Sequence, residues 1–117
     1  MKDEELIKVE QAGSGVIVSV LLREVEMFTA PALREALESH IASKPEFLIM
    51  DFSNTLHLDS SGLAVVYKSY MNISSAGGEF CVTGLNKNLS MLLQMFNQRE
   101  EIKIYPNIKA GREALGA

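Results

Sequence analysis

Phe47–Leu48–Ile49–Met50–Asp51–Phe52–Ser53, followed five residues later by Asp59–Ser60–Ser61–Gly62–Leu63, is the stretch that decides the fold. The apolar run from 47 to 50 reads as a strand buried on both faces. Beyond the polar link, Leu63, Val66, Tyr67 and Tyr70 share one face of a helix that begins near Ser60. This strand, link and helix also place the Ser60 hydroxyl at a helix N-terminus, where free backbone N–H groups and the helix dipole favour an anion. A phosphoryl group carried there is expected to meet waiting donors. Asp and Ser are also favoured capping residues, worth about 1 kcal/mol in that role. Taken alone, the pentapeptide reads first as a cap.

Upstream, Leu6–Ile7–Lys8–Val9 and the run from Val16 to Leu22 read as two strands around the turn Gly13–Ser14–Gly15, an antiparallel hairpin. The second strand is apolar at nearly every position, which places it inside the sheet. Thr29–Ala30–Pro31 reads as a helix start, with Thr29 as its cap and Pro31 in the first turn. Leu33, Leu37 and Ile41 form that helix's buried stripe. Downstream, Gly77–Gly78 ends the helix that began near Ser60. Phe80 to Thr83 is a fourth strand. Asn88 is expected to cap a helix with Leu89, Leu92, Leu93 and Phe96 inward. Ile102–Lys103–Ile104–Tyr105 is a fifth strand, followed by a short helix from about Asn107. The order β-β-α-β-α-β-α-β-α predicts one α/β domain with a mixed, mostly parallel sheet of about five strands covered by about four helices. The opening hairpin argues against a full doubly wound nucleotide fold.

The chain has 117 residues, 47% of them hydrophobic, enough for one packed domain over residues 1–117 without disulfides. A net charge of -4, a pI near 5.1 and scattered Lys and Arg argue against direct nucleic-acid binding. Cys81, the single cysteine, lies in Phe80–Cys81–Val82 and reads as a small buried hydrophobe. Met1–Lys2–Asp3–Glu4–Glu5 has no signal-peptide character, and no apolar run approaches the ~20 residues that span a bilayer. A cytoplasmic protein without membrane contact is expected. His40 and His57 are the only histidines and lack ligand-spaced partners, so neither metal nor cofactor is expected. Ser60, His57 and Asp59 invite a hydrolase reading. Close sequence neighbours rarely converge as a relay, however, and no G-x-S-x-G elbow is present, so no enzyme is expected.

Asp51–Phe52–Ser53, the five-residue spacer and Asp59–Ser60–Ser61–Gly62–Leu63 resemble the signature of STAS domains, above all the bacterial anti-sigma-factor antagonists. The resemblance extends to the element order, to Gly77–Gly78–Glu79 before the fourth strand and to Leu89, Leu92 and Leu93 beyond it. It implies a phosphorylation switch. In that family the serine after the aspartate is phosphorylated by a partner kinase that is also the anti-sigma factor. The unphosphorylated form binds that partner and frees a sigma factor, and a metal-dependent serine/threonine phosphatase restores it. By position, Ser60 is the acceptor, and Asp59, Ser61 and Gly62 shape its helix start and the partner surface. Gly62 is further expected to leave room beside the acceptor for a kinase active site. The free protein is expected to be a monomer.

Glu24–Val25–Glu26–Met27–Phe28 forms the second candidate patch. The resemblance places this loop near the acceptor and gives Glu26, Met27 and Phe28 a part in partner binding. Here Arg23–Glu24–Val25–Glu26 replaces the family's Gly-x-[LI]-Asp-like stretch. Met27 and Phe28 read either as a hydrophobic staple at the helix start or as an exposed, adaptable anchor. A second departure, Asn97–Gln98–Arg99–Glu100–Glu101, reads as a solvated loop where relatives carry a hydrophobic connection. The competing function is a STAS module that scaffolds an assembly, or binds a small ligand or nucleotide beside residues 59–62, without being phosphorylated.

Overall fold

A computed structural model describes residues 2–116. The hairpin forms first: β1 (Ile7–Ala12) pairs antiparallel with β2 (Gly15–Val20). The remaining main strands, β4 (Phe47–Asp51), β6 (Glu79–Thr83) and β7 (Lys103–Tyr105), add in parallel to give the five-stranded order β1-β2-β4-β6-β7. Each parallel step is bridged by a helix: α2 (Ala30–Ala42), α3 (Ser60–Ser75) and α4 (Lys87–Phe96). The chain closes with α5 (Ile108–Ala114).

Strand periodicity divides the core in two. Val16, Val18, Val20, Leu48, Met50, Phe80 and Val82 face α2, α3 and α4, meeting Leu33, Leu37, Leu63, Val66, Ile73 and Leu93. The alternate residues Ile17, Phe47, Ile49 and Cys81 meet Ile108 and Leu115 on the other side. The sheet is therefore covered on both faces, which is why its inner strands read as continuous apolar runs. Gly77, at φ +87°, lets the chain leave α3.

The structure adds elements that the sequence reading lacked and shifts others. Asp3–Leu6 makes one helical turn, α1, so the first strand starts at Ile7 rather than Leu6 and runs on to Ala12. Among the described residues the helices therefore number five, counting this turn. Two further two-residue strands, β3 (Glu24–Val25) and β5 (His57–Leu58), pair in parallel as a separate small sheet. Asn86, not Asn88, caps α4, its side chain accepting from Leu89 N at 2.8 Å. Phe96 faces solvent instead of the core, with 57% of its surface exposed. It lies in register with Leu89 and Leu93 but is the last helical residue of α4.

Thr29 also departs from its expected part. It makes no side-chain bond to the start of α2. Its hydroxyl instead accepts from Glu26 N at 3.0 Å and donates to Glu24 O at 3.0 Å, bracing the preceding loop. In the 97–101 stretch, residues 98–101 are exposed as expected, but Asn97 is buried. Its amide donates to Ile102 O and accepts from Ile102 N, latching the loop across the start of the last strand region.

Candidate functional site

The site begins at the end of β4. Asp51 is buried, and its carboxylate accepts the Thr83 hydroxyl at 2.7 Å and Ser53 N at 3.1 Å. Phe52 N donates to Thr83 O, and the Phe52 side chain is 1% exposed. The Asp–Phe–Ser triplet thus ties the chain leaving β4 to the neighbouring strand β6. This fixes where the following loop emerges. A buried carboxylate lacking such donors would be strongly unfavourable, so Asp51 and Thr83 act as a unit.

That loop then meets the one before α2. Leu56 N and His57 N both donate to Arg23 O, Thr55 Oγ1 donates to Leu22 O, and Asp59 N donates to Val25 O. With the β3–β5 pairing, these bonds bring residues 24–28 beside residues 57–60. The two candidate patches therefore form one ledge.

Asp59 is the clamp of the ledge. One carboxylate oxygen accepts Ser61 N at 2.8 Å and Gly62 N at 3.1 Å, capping α3. The other accepts Met27 N at 3.1 Å from the facing loop. Asp59→Ala removes all three bonds. It should lower stability by about 1–2 kcal/mol and the thermal midpoint by several degrees, while Asp59→Asn keeps the cap but, with an NH2 facing the Met27 N–H, recovers only the capping part. Thermal denaturation of the two variants checks this.

Ser60 is exposed, and among the described residues its hydroxyl makes no hydrogen bond. The expectation that a phosphate there meets waiting donors is narrowed, because two of the first-turn donors are taken. The Ser61 and Gly62 N–H groups are already held by Asp59. Gly62 also has a different reason from the one expected. It is buried, and a Cβ on it would lie 2.5 Å from Val25 O and 2.9 Å from Leu58 Cδ2. Its missing side chain admits the chain's own β3, not an approaching enzyme.

Met27 and Phe28 are 62% and 82% exposed, so they do not staple the helix start. Their backbones are nonetheless held. Asp59 takes the Met27 N–H, and the Glu26 carboxylate takes the Phe28 N–H at 3.3 Å. Two carboxylates thus hold successive amides and display the apolar pair to solvent. Leu56, 42% exposed, lies in the loop that docks on Arg23 and was not singled out from the sequence. Its single apolar side chain between polar neighbours carries no periodic signal.

His57 is exposed, and both Asp59 oxygens are committed to backbone N–H groups, so Asp59 does not orient a histidine. Cys81 is fully buried. Burial pushes its thiol up to about 12, with Glu79 adding to the rise, which leaves almost no thiolate at neutral pH. Among the described residues no helix is long and apolar enough to cross a membrane.

The fold and ledge define a small α/β domain that presents a serine hydroxyl and an apolar pair on one braced surface. The STAS domain family model matches residues 8–111. The chain belongs to the STAS family, among the anti-sigma factor antagonists. Over 94 residues it is 30% identical to the anti-sigma F factor antagonist of Paenibacillus polymyxa, covering 80% of each chain. An anti-sigma factor antagonist from Mycobacterium paratuberculosis superposes with a TM-score of 0.84 at 26% identity, over 95% of this chain and 93% of its own. At the level of fold alone, unphosphorylated SpoIIAA matches with a TM-score of 0.75 at 14% identity, over 95% of this chain and 97% of its own. The phosphorylated form of Bacillus SpoIIAA matches at 0.69, also at 14% identity, over 92% and 98%.

Proposed function

We propose that this chain is a phosphorylation-switched anti-sigma-factor antagonist. Unmodified, it binds an anti-sigma factor that is also a serine kinase and so releases a sigma factor. Phosphorylation of Ser60 blocks that contact, and a metal-dependent phosphatase restores it. The observation that carries this reading is the placement of a free Ser60 hydroxyl on the same ledge as the displayed Met27–Phe28 pair. Support also comes from the relatives named as antagonists and from a neighbour of the same fold solved with and without phosphate. The protein itself catalyses nothing in this scheme, and it acts as a monomer when free.

Phosphate adds about −1.5 to −2 charge at neutral pH. Because the Ser60 hydroxyl makes no hydrogen bond among the described residues, the domain keeps its structure when modified. Beside the Asp59 carboxylate, the added charge deepens a negative spot in the middle of the binding ledge. Against a partner surface fitted to a neutral hydroxyl, that should cost several kcal/mol in repulsion and desolvation.

Phe28 supplies the apolar half of the contact. Phe28→Ala should weaken partner binding by about 10–100-fold, in the range of a moderate to strong interface anchor. With the side chain already in solvent, unfolding stability should stay within about 0.5 kcal/mol. Titration calorimetry and a denaturation curve on the same variant separate the two effects.

The scheme is tested by mass-spectrometric mapping of phosphate on the chain isolated from its own growing and stressed cells. Occupancy at Ser60 that changes with condition supports the switch. A Ser60 that is unmodified in every condition favours a constitutive scaffold or ligand-binding module.

A further inference from the structure

The chain's net charge is -4, yet one region of its surface runs the other way. Between α2 and α3 lies an open groove of about 660 Å³. Arg34, Lys44 and Lys68 line it against a single acid, Glu38, a local excess of two positive charges. Its floor is apolar: Leu37 and Val65 are buried and Ile41 is half-buried. At one end Arg34, Val65 and Lys68 also line a smaller cavity of about 210 Å³ that reaches Ser61 and Met27. The groove therefore opens toward the ledge.

We propose that this groove binds a single-chain amphiphilic anion, a carboxylate-headed acyl chain, with its hydrocarbon along the Leu37–Ile41–Val65 floor and its head held by Arg34 and Lys68. The volume lies within the range of small-ligand sites, about 300–1,000 Å³. The walls are helices whose backbone groups are already bonded within themselves, so no sheet edge is offered to an extended peptide. Guanidinium and ammonium groups above an apolar floor match a carboxylate joined to methylenes. They pair with the head while the chain leaves water. The proposal stands on the groove's own charge and shape and does not depend on phosphorylation at Ser60.

The probe is decanoate, held below its micelle concentration and titrated into the intact, isotope-labelled chain while amide chemical shifts are followed. Saturable shifts at residues 34–44 and 65–76 are expected. Arg34→Glu combined with Lys68→Glu should weaken binding at least tenfold without moving the thermal midpoint by more than a few degrees. Ala42→Phe, at an exposed position on the rim, should block the hydrocarbon path and weaken binding independently. Absence of saturable shifts in this groove would overturn the proposal. So would equal binding of decanol and decanoate, or a charge-reversed variant that binds as well as the parent. Response to anionic vesicles but not to monomeric decanoate would also overturn it, assigning the face to a membrane surface instead.

Discussion

Ser60→Asp is expected to weaken binding of the anti-sigma partner by at least about a hundredfold, whereas Ser60→Ala leaves binding intact. The difference follows from charge and not from shape. A fixed carboxylate at 60 stands next to Asp59, which already commits both its oxygens to backbone N–H groups and cannot move away without uncapping α3. A repulsion and desolvation cost of about 3 kcal/mol corresponds to roughly a hundredfold or more in affinity. Phosphate, with nearly twice the charge, should reach about a thousandfold. The fold should be indifferent to both changes, because the Ser60 hydroxyl makes no hydrogen bond among the described residues. Unfolding free energies should stay within about 0.5 kcal/mol of the parent. Calorimetric titration of the kinase with the two variants checks the affinities. Equal affinity of the alanine and aspartate variants would favour a scaffold that does not switch.

Gly62→Ala should produce the largest loss of stability, about 2–3 kcal/mol, by overpacking. The added methyl meets Val25 O at 2.5 Å. That atom is backbone, and it already accepts Asp59 N at 3.2 Å, so no flexible side chain can swing aside. The clash is relieved only by pushing β3 off α3. This also pulls the 26–28 loop away from Asp59, so partner affinity should fall with stability even though residue 62 is buried. The thermal midpoint should drop by roughly 8–15 °C. Ser61→Ala, one residue away on the same helix turn, should remain within about 0.5 kcal/mol and serves as the control. Denaturation curves for the pair would show whether the glycine serves the fold or, as first expected, an incoming kinase.

The apolar runs and helical stripes made most of the fold legible. Phe47 to Met50, Val16 to Val20 and the Leu33–Leu37 stripe are long, regular signals, and the structure buries their apolar residues. What escaped were features without a period. β3 and β5 are two residues each, too short to show alternation, yet they join the two patches into one ledge. α1 is a single turn written in Asp3–Glu4–Glu5, residues that look like a solvated tail. The start of α4 falls two residues before the expected cap, because Asn86 and Asn88 are equally good caps in sequence and only the turn after Thr83 chooses between them.

At the candidate site, the sequence names the residues that the structure brings together but not how they share the work of capping and bracing. Asp59 and Ser60 looked like alternative caps. In the structure Asp59 takes the capping work entirely and leaves Ser60 free. Met27 and Phe28 could be staple or anchor, and their exposure favours the anchor. Thr29 looked like a cap but braces a loop, because Glu24 and Glu26 fold back onto it through their backbone groups. Each of these depends on contacts between residues about thirty positions apart or on a local turn, which no one-dimensional pattern encodes.

The most direct test is titration of the partner kinase with chain stoichiometrically phosphorylated on Ser60, beside unmodified chain whose amide spectrum is recorded under the same conditions. The expected result is tight binding of the unmodified form and a loss of two to three orders of magnitude on phosphorylation, with spectral changes confined to residues 24–29 and 56–64. Equal affinity of the two forms, or a phosphorylated domain whose spectrum shows the whole core rearranged, would contradict a switch that works by blocking this ledge.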